Sequence, residues 1–145
     1  MIINSEQEMI DFGKQFADKI TGSGPVEAKV IELIGDVGAG KTTFTRGLAA
    51  GLGIKEPITS PSFTISKSYA LPSGKGHLIH YDFYRLPDPG LMLDDLNENL
   101  QNPDNIIIIE WGESINNLLP NDRTIIKIEY NETGGRDLFF EGSKT

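Results

Sequence analysis

A glycine-rich octapeptide that ends in lysine and threonine is the most chemically informative stretch of this chain. It runs Gly35-Asp36-Val37-Gly38-Ala39-Gly40-Lys41-Thr42 and matches G-x-x-x-x-G-K-[ST] at every fixed position. Loops of this composition point successive backbone N–H groups at phosphate oxygens, at the positive end of the helix that follows. We predict that this loop, with Thr43 after it, binds a nucleoside triphosphate, that Lys41 neutralises the β- and γ-phosphates, and that the Thr42 hydroxyl faces Mg²⁺.

Hydrolysis of a bound triphosphate also needs a carboxylate on the metal side of the site and a group that orders the attacking water. Two acids stand where such a group belongs, because Asp82 and Glu110 each directly follow an apolar run that predicts a strand. A carboxylate in either place reaches a metal directly or through water. We therefore predict that both are catalytic candidates, against the alternative that each is an ordinary polar residue at a strand end.

A hydroxyl-rich loop surrounds Pro61 and is a candidate switch that senses the γ-phosphate. The alternative is a plain surface loop, since composition alone favours turns here. The predicted switch consists of Thr59, Ser60, Pro61, Ser62, Phe63 and Thr64.

Three further residues are weighed against simpler roles. His80 is expected to be a packed strand residue rather than a base. Trp111 is expected in the core, although its place beside Glu110 makes a role near the nucleotide arguable. Arg85 is a candidate for a partner interface or for charge stabilisation, against an ordinary surface salt bridge.

The elements that must position these residues alternate between strands and helices. An apolar strand precedes the loop, and a helix with apolar residues at helical spacing follows it. A capping box of Ser5 and Glu8 opens an earlier amphipathic helix. We predict an α/β fold like that of P-loop NTPases, with three layers and a parallel core extended by antiparallel hairpins. The expected strands are 30–34, 63–70, 78–81, 106–109, 124–130 and 136–140. The first helix is expected after Ser5, and further helices are expected from near 42, 91 and 113.

Length and composition bound the remaining possibilities. The 145 residues predict one domain spanning 1–145. Thirteen basic and 21 acidic residues give a net charge of −8, which argues against extensive contacts with a nucleic-acid backbone. The chain has no cysteine, which excludes disulfides and thiolate metal sites. The first residues lack the pattern of a signal peptide, and no apolar run approaches the ~18 residues of a membrane span, so we expect a cytoplasmic protein.

The motifs also discriminate between nucleotides and between families. The chain contains neither N-K-x-D nor D-x-x-G, the elements with which Ras-like GTPases bind guanine and switch, so ATP is favoured over GTP.

Four segments in this order closely resemble the TsaE family of bacterial ATPases, over nearly the whole chain. They are GDVGAGKTTFTRG at 35–47, TSPSFT at 59–64, HYDFYRL at 80–86 and IEW at 109–111.

The resemblance implies specific roles. Members of this family act with the proteins TsaB and TsaD in making the threonylcarbamoyl modification of adenosine next to the anticodon of ANN-decoding tRNAs. The resemblance implies that ATP and Mg²⁺ are the cofactors, that Thr42 and Glu110 bind the metal, that residues 59–64 form the switch, and that Asp82 is a catalytic or metal-proximal acid. Contact with tRNA is expected only through the complex. Met9 departs from the family, since many relatives carry threonine there, near the adenine.

Two other functions remain open from the sequence. A small-molecule kinase would use the same loop, but it usually closes a basic lid over the phosphates, and residues 87–105 contain no Lys or Arg. A nucleotide-sensing interaction module would bind ATP without needing hydrolysis. Under the leading hypothesis we expect weak turnover by the isolated chain and stimulation by partners, because no arginine finger is evident near the switch.

Overall fold

The computed structural model describes residues 1–20, 28–36, 38–59, 66–83, 90–111, 115 and 117–141. Within these ranges the chain contains both strands and helices. They are β1 (Ile2–Ile3), α1 (Glu6–Ile20), β2 (Lys29–Ile34), α2 (Lys41–Gly51), β3 (Ser66–Ala70), β4 (His77–Asp82), α3 (Gly90–Leu100), β5 (Ile106–Glu110), β6 (Thr124–Tyr130) and β7 (Arg136–Glu141).

The strands form one mixed sheet in the order β1-β7-β6-β2-β5-β4-β3. The four strands β6, β2, β5 and β4 run parallel, whereas β3 and β7 add antiparallel hairpins and β1 pairs antiparallel with β7. The predicted fold class is therefore confirmed. Because parallel strands end at the same edge, the ends of β2, β4 and β5 bring their terminal residues together.

Apolar residues cover both faces of this sheet. One cluster packs α1 and α2 against the face that carries Ile31, Ile108 and Ile126. The other packs α3 against the opposite face, which carries Val30 and Ile107. Alternation along each strand sends neighbouring residues to opposite faces, so a continuously apolar strand such as β5 is buried on both sides.

Helix α3 is anchored to β4 by a polar contact inside the second cluster. The Tyr81 hydroxyl donates to Asp95 Oδ2 at 2.5 Å and accepts from Asn99 Nδ2 at 2.8 Å. Burial, together with the neighbouring Asp95 carboxylate, raises the pKa of Tyr81 above its ordinary value. The phenol therefore stays protonated and keeps donating.

The packing of α1 against α2 sets the position of the phosphate-binding helix. Glycines lie at the contact on both helices, and a Cβ at Gly47 would stand 2.3 Å from the carbonyl oxygen of Ile10. A Cβ at Gly13 would likewise stand 2.6 Å from the carbonyl oxygen of Phe44. The two helix backbones approach so closely only because these side chains are absent.

Element boundaries differ from the sequence prediction in a few places. Strand β1 was not predicted, because two residues are too few for a periodic pattern. Residues 63–65 of the strand expected at 63–70 lie outside the described residues. In the helix expected from 113, Ile115, Asn117 and Leu118 are in 3₁₀ conformation, while 113, 114 and 116 lie outside the described residues. None of the described helices has the length and apolar character needed to cross a membrane.

We expect Gly47→Ala to lower the free energy of unfolding by about 1–3 kcal/mol, because the added methyl group overpacks a contact made by backbone atoms. Urea denaturation followed by circular dichroism measures this loss. Ala50→Ser, on the exposed side of the same helix, is the control and should shift stability by no more than about 0.5 kcal/mol. Equal stability of Gly47→Ala and the parent chain would contradict the close helix contact.

Candidate functional site

The site lies at the carboxyl edge of the parallel strands, where the phosphate loop (residues 35–42) leaves β2 for α2. Asp82 and Glu110 are the last residues of β4 and β5 and are direct partners in the parallel register. Alternation puts both side chains on the sheet face that α1 and α2 cover. The structure thus brings together the loop and the two acids that the sequence singled out.

The backbone of the phosphate loop adopts conformations that glycine alone takes without strain. Gly38 has a φ of 83° and Gly40 a φ of 115°, both in the left-handed region. At Gly35 the constraint is space, since a Cβ would stand 2.7 Å from the carbonyl oxygen of Ile128. The loop therefore passes close over β6 and arrives at α2 with the first-turn N–H groups directed to the site.

Lys41, the first residue of α2, is buried with 6% of its surface exposed. Its Nζ donates to the Gly35 carbonyl oxygen at 2.5 Å, lies 3.6 Å from Glu110 Oε1, and sits 4.4 Å from the centroid of the Trp111 ring. A buried ammonium needs such partners because desolvation disfavours its charge. The side chain is therefore held at the mouth of the loop.

Glu110 is 4% exposed, and its two carboxylate oxygens have different partners. Oε1 faces Lys41, whereas Oε2 accepts from the Nε2 of His80. His80 was expected to be a packed strand residue, and it is fully buried, but it also contacts a predicted catalytic acid. The available sequence signal was its position two residues before Asp82, which places both on one face of β4.

Trp111 follows β5 with a φ of 57°, a left-handed conformation for a residue with a large side chain. This conformation costs roughly 1–2 kcal/mol. It turns the chain immediately after Glu110 and sets the indole ring beneath the Lys41 ammonium as a cation–π partner. Trp111 is partly exposed, and its ring lines the site.

Arg136 ties the β6–β7 turn to the phosphate loop. Its Nε donates to the Ala39 carbonyl oxygen at 2.9 Å, and its Nη1 donates to the carbonyl oxygens of Gly134 and Gly135 at 3.0 and 3.2 Å. The guanidinium also stacks over the Tyr130 ring, 4.1 Å from its centroid. Sequence reasoning missed Arg136, because it is distant from the loop in the chain and belongs to no motif.

Two recesses border the loop. One, of about 410 Å³, is lined by Gly35, Asp36, Lys41, Trp111 and residues of β6. The other, of about 340 Å³, lies between the start of α1, the loop and the β6–β7 turn, and Met9 is part of its lining. A recess beside a phosphate-binding loop suits a ligand that carries its phosphates at one end.

The residues present fit a nucleoside triphosphate with Mg²⁺. Glycine backbone, a buried ammonium and a helix N-terminus match the negative charge of phosphates. Thr42 and Glu110 offer hard oxygen ligands, and Asp82 stands beside Glu110 in the register. The described residues hold no group of three His, Cys, Asp or Glu side chains around a possible metal. Mg²⁺ does not require one, since it keeps waters and takes phosphate oxygens as ligands.

Several predicted site residues lie outside the described residues. They are Val37 of the loop, residues 60–64 of the predicted switch, and Arg85. Thr59 is described and exposed, and its Oγ1 accepts from the Nζ of Lys67.

The chain also resembles known proteins in sequence and in fold. The family model described as threonylcarbamoyl adenosine biosynthesis protein TsaE matches residues 3–138. The chain is similar to the tRNA threonylcarbamoyladenosine biosynthesis protein TsaE of Haemophilus influenzae, with 37% identity over 88% of this chain and 80% of that protein. It is 37% identical to the protein of the same name from Bacillus subtilis, over 84% of this chain and 75% of that one. Its fold resembles the crystal structure of Bacillus subtilis YdiB, with a TM-score of 0.77 and 30% identity over 99% of this chain and 84% of that chain.

We expect Arg136→Met to weaken ATP binding about tenfold, the equivalent of 1.4 kcal/mol. The physical reason is that the loop loses the hydrogen bond that holds the Ala39 carbonyl, so its amides are less well ordered before binding. Isothermal titration with ATP measures the change. Lys75→Met, which removes one positive charge in the exposed β3–β4 turn, is the matched control, and equal weakening in both variants would point to net charge instead.

Proposed function

Because this chain belongs to the threonylcarbamoyl adenosine biosynthesis protein TsaE family, we propose that it is the ATP-binding and ATP-hydrolysing subunit in the threonylcarbamoylation of tRNA. The modified base under this proposal is the adenosine next to the anticodon in ANN-decoding tRNAs. The observation that carries the proposal is the buried ammonium of Lys41, held 3.6 Å from Glu110 at the mouth of a phosphate loop. That pairing joins the phosphate-binding and metal-binding halves of an ATPase site.

The proposal gives each of the site residues a role in hydrolysis. The loop amides and Lys41 would hold the phosphates, and Thr42 and Glu110 would hold Mg²⁺, which would neutralise charge developing on the phosphate oxygens. Asp82, beside Glu110 in the register, orders the attacking water as a base or through the metal shell. The loop recess that Met9 lines accepts the adenosine half of the nucleotide.

The proposed role toward the modification itself is indirect. The net charge of −8 opposes direct contact with a tRNA backbone. We therefore propose that ATP binding and hydrolysis act on the TsaB–TsaD complex and reset it, and that tRNA is met only through that complex. Turnover by the isolated chain is expected to be slow, since the sequence shows no arginine finger near the predicted switch.

Mg²⁺-dependent ATP hydrolysis by the purified chain, alone and with purified TsaB and TsaD, tests this proposal. We expect weak activity that rises sharply with the pair and that Lys41→Ala abolishes, because the ammonium is the main positive charge at the phosphates. Activity indifferent to the pair would contradict the partner-gated mechanism. Transfer of the phosphoryl group to a metabolite would instead indicate a kinase.

We expect Glu110→Gln to bind ATP in EDTA at least as tightly as the parent chain but to lose about 100-fold in Mg²⁺-dependent turnover, because the amide is a poor ligand for a hard cation. Single-turnover hydrolysis and titration calorimetry separate the two effects. Glu98→Gln, an exposed change on α3, is the control. Should cells that carry only Glu110→Gln retain full tRNA modification, hydrolysis would be dispensable and the chain would be a nucleotide sensor.

A further inference from the structure

We propose that His80 is the positioning residue for Glu110: its Nε2–H donates to Oε2 of the carboxylate and thereby aims Oε1 at the phosphate loop. This inference deepens the proposed function and rests on it in one respect, the metal-binding role of Glu110. It assigns a task to a buried histidine that the proposed reaction does not otherwise use.

The first support is the burial of the pair. His80 is fully buried and Glu110 is 4% exposed, and the imidazole Nε2 contacts Glu110 Oε2 directly. A carboxylate withdrawn from water needs donors for its oxygens. Lys41 faces one oxygen and His80 contacts the other, so each carboxylate oxygen of Glu110 has its own partner.

The second support is the other ring nitrogen. His80 Nδ1 is buried and has no hydrogen-bond partner among the residues that the structure describes. If His80 only filled the core, its unsatisfied Nδ1 would lower the stability of the fold with no compensating interaction. An apolar side chain would then pack there at a lower cost in free energy. The donor at Nε2 is therefore what distinguishes histidine from leucine at this position.

The third support is the register of β4 and β5. Asp82 and Glu110 are direct partners across the two strands, and His80 precedes Asp82 by two residues on the same face. His80 therefore lies one step deeper in the sheet than the pair of acids. It forms the floor of the metal side of the site, where it supports Glu110 from the side opposite the loop.

This placement has a consequence for the catalytic cycle. A triphosphate competes with Glu110 for Lys41, since both are anions within reach of one ammonium. His80 contacts the oxygen that Lys41 does not face, so a phosphate that displaces Glu110 from Lys41 leaves the contact with Oε2 in place. The carboxylate then stays oriented when its charge is needed by the cation, as outer-shell partners of metal ligands generally ensure.

The test compares His80→Leu, which removes the donor, with His80→Gln, which keeps an N–H donor on a side chain of similar reach. Titration calorimetry measures ATP affinity in EDTA and in Mg²⁺ for each. We expect His80→Leu to keep the EDTA affinity within about twofold while losing about 10- to 100-fold of apparent Mg²⁺ affinity, the range found for outer-shell partners. His80→Gln should recover most of that loss.

Two outcomes overturn the inference. Parent-like Mg²⁺ coupling in His80→Leu would show that the contact positions nothing, and equal losses in EDTA and Mg²⁺ in both variants would show a structural role alone. Circular dichroism melting of each variant accompanies the titrations. If the parent chain itself shows no Mg²⁺-coupled ATP binding, the proposed function fails rather than the positioning role.

A measurement on the unmodified chain keeps the inference testable even if His80→Leu does not fold. The chain has two histidines, and His77 is exposed, so ¹⁵N imidazole NMR shifts can be assigned to each. We expect a proton on Nε2 of His80. A proton on Nδ1 with a bare Nε2 would leave Glu110 without its donor and would refute the proposal.

Discussion

The buried pairing of Lys41 with Glu110 is the interaction on which the rest of the site depends. A lysine ammonium at 6% exposure is expensive unless opposite charge and hydrogen-bond acceptors surround it. The Gly35 carbonyl, the Glu110 carboxylate and the Trp111 ring supply these partners from the ends of two different strands. The same partners hold the ammonium beside the loop amides, where it would meet the negative charge of a bound phosphate.

Glycine supplies the geometric half of the same arrangement. The loop crosses β6 at Gly35, where a Cβ would collide with the Ile128 carbonyl, and α2 lies against α1 because Gly13 and Gly47 have no side chains. Arg136 then holds the loop from the far side through the Ala39 carbonyl. The loop is thus constrained from the sheet below, from the neighbouring helix and from the β6–β7 turn, which orders its amides in advance of binding.

Much of the fold followed from local pattern. The helical spacing of Phe44 and Leu48, and the four isoleucines of β5, reflect burial that each segment needs regardless of its neighbours. Strand β1 escaped prediction because two residues carry no period, and its pairing with β7 is decided by contacts distant in sequence. His80 and Arg136 were underestimated for a similar reason, since their partners Glu110 and Ala39 are remote in the chain.

The sequence by itself determined the chemistry available: a phosphate loop, two acids at strand ends and an α/β alternation, because spacing and residue type act within one turn or one strand. Only the tertiary structure decided which of these groups contact one another. Strand order sets β5 beside β2 and β4, and the register aligns Asp82 with Glu110. Glu110 consequently divides its two oxygens between Lys41 and His80, a relation between three separate segments that no local pattern encodes, since it arises from strand pairing over long distances in the chain.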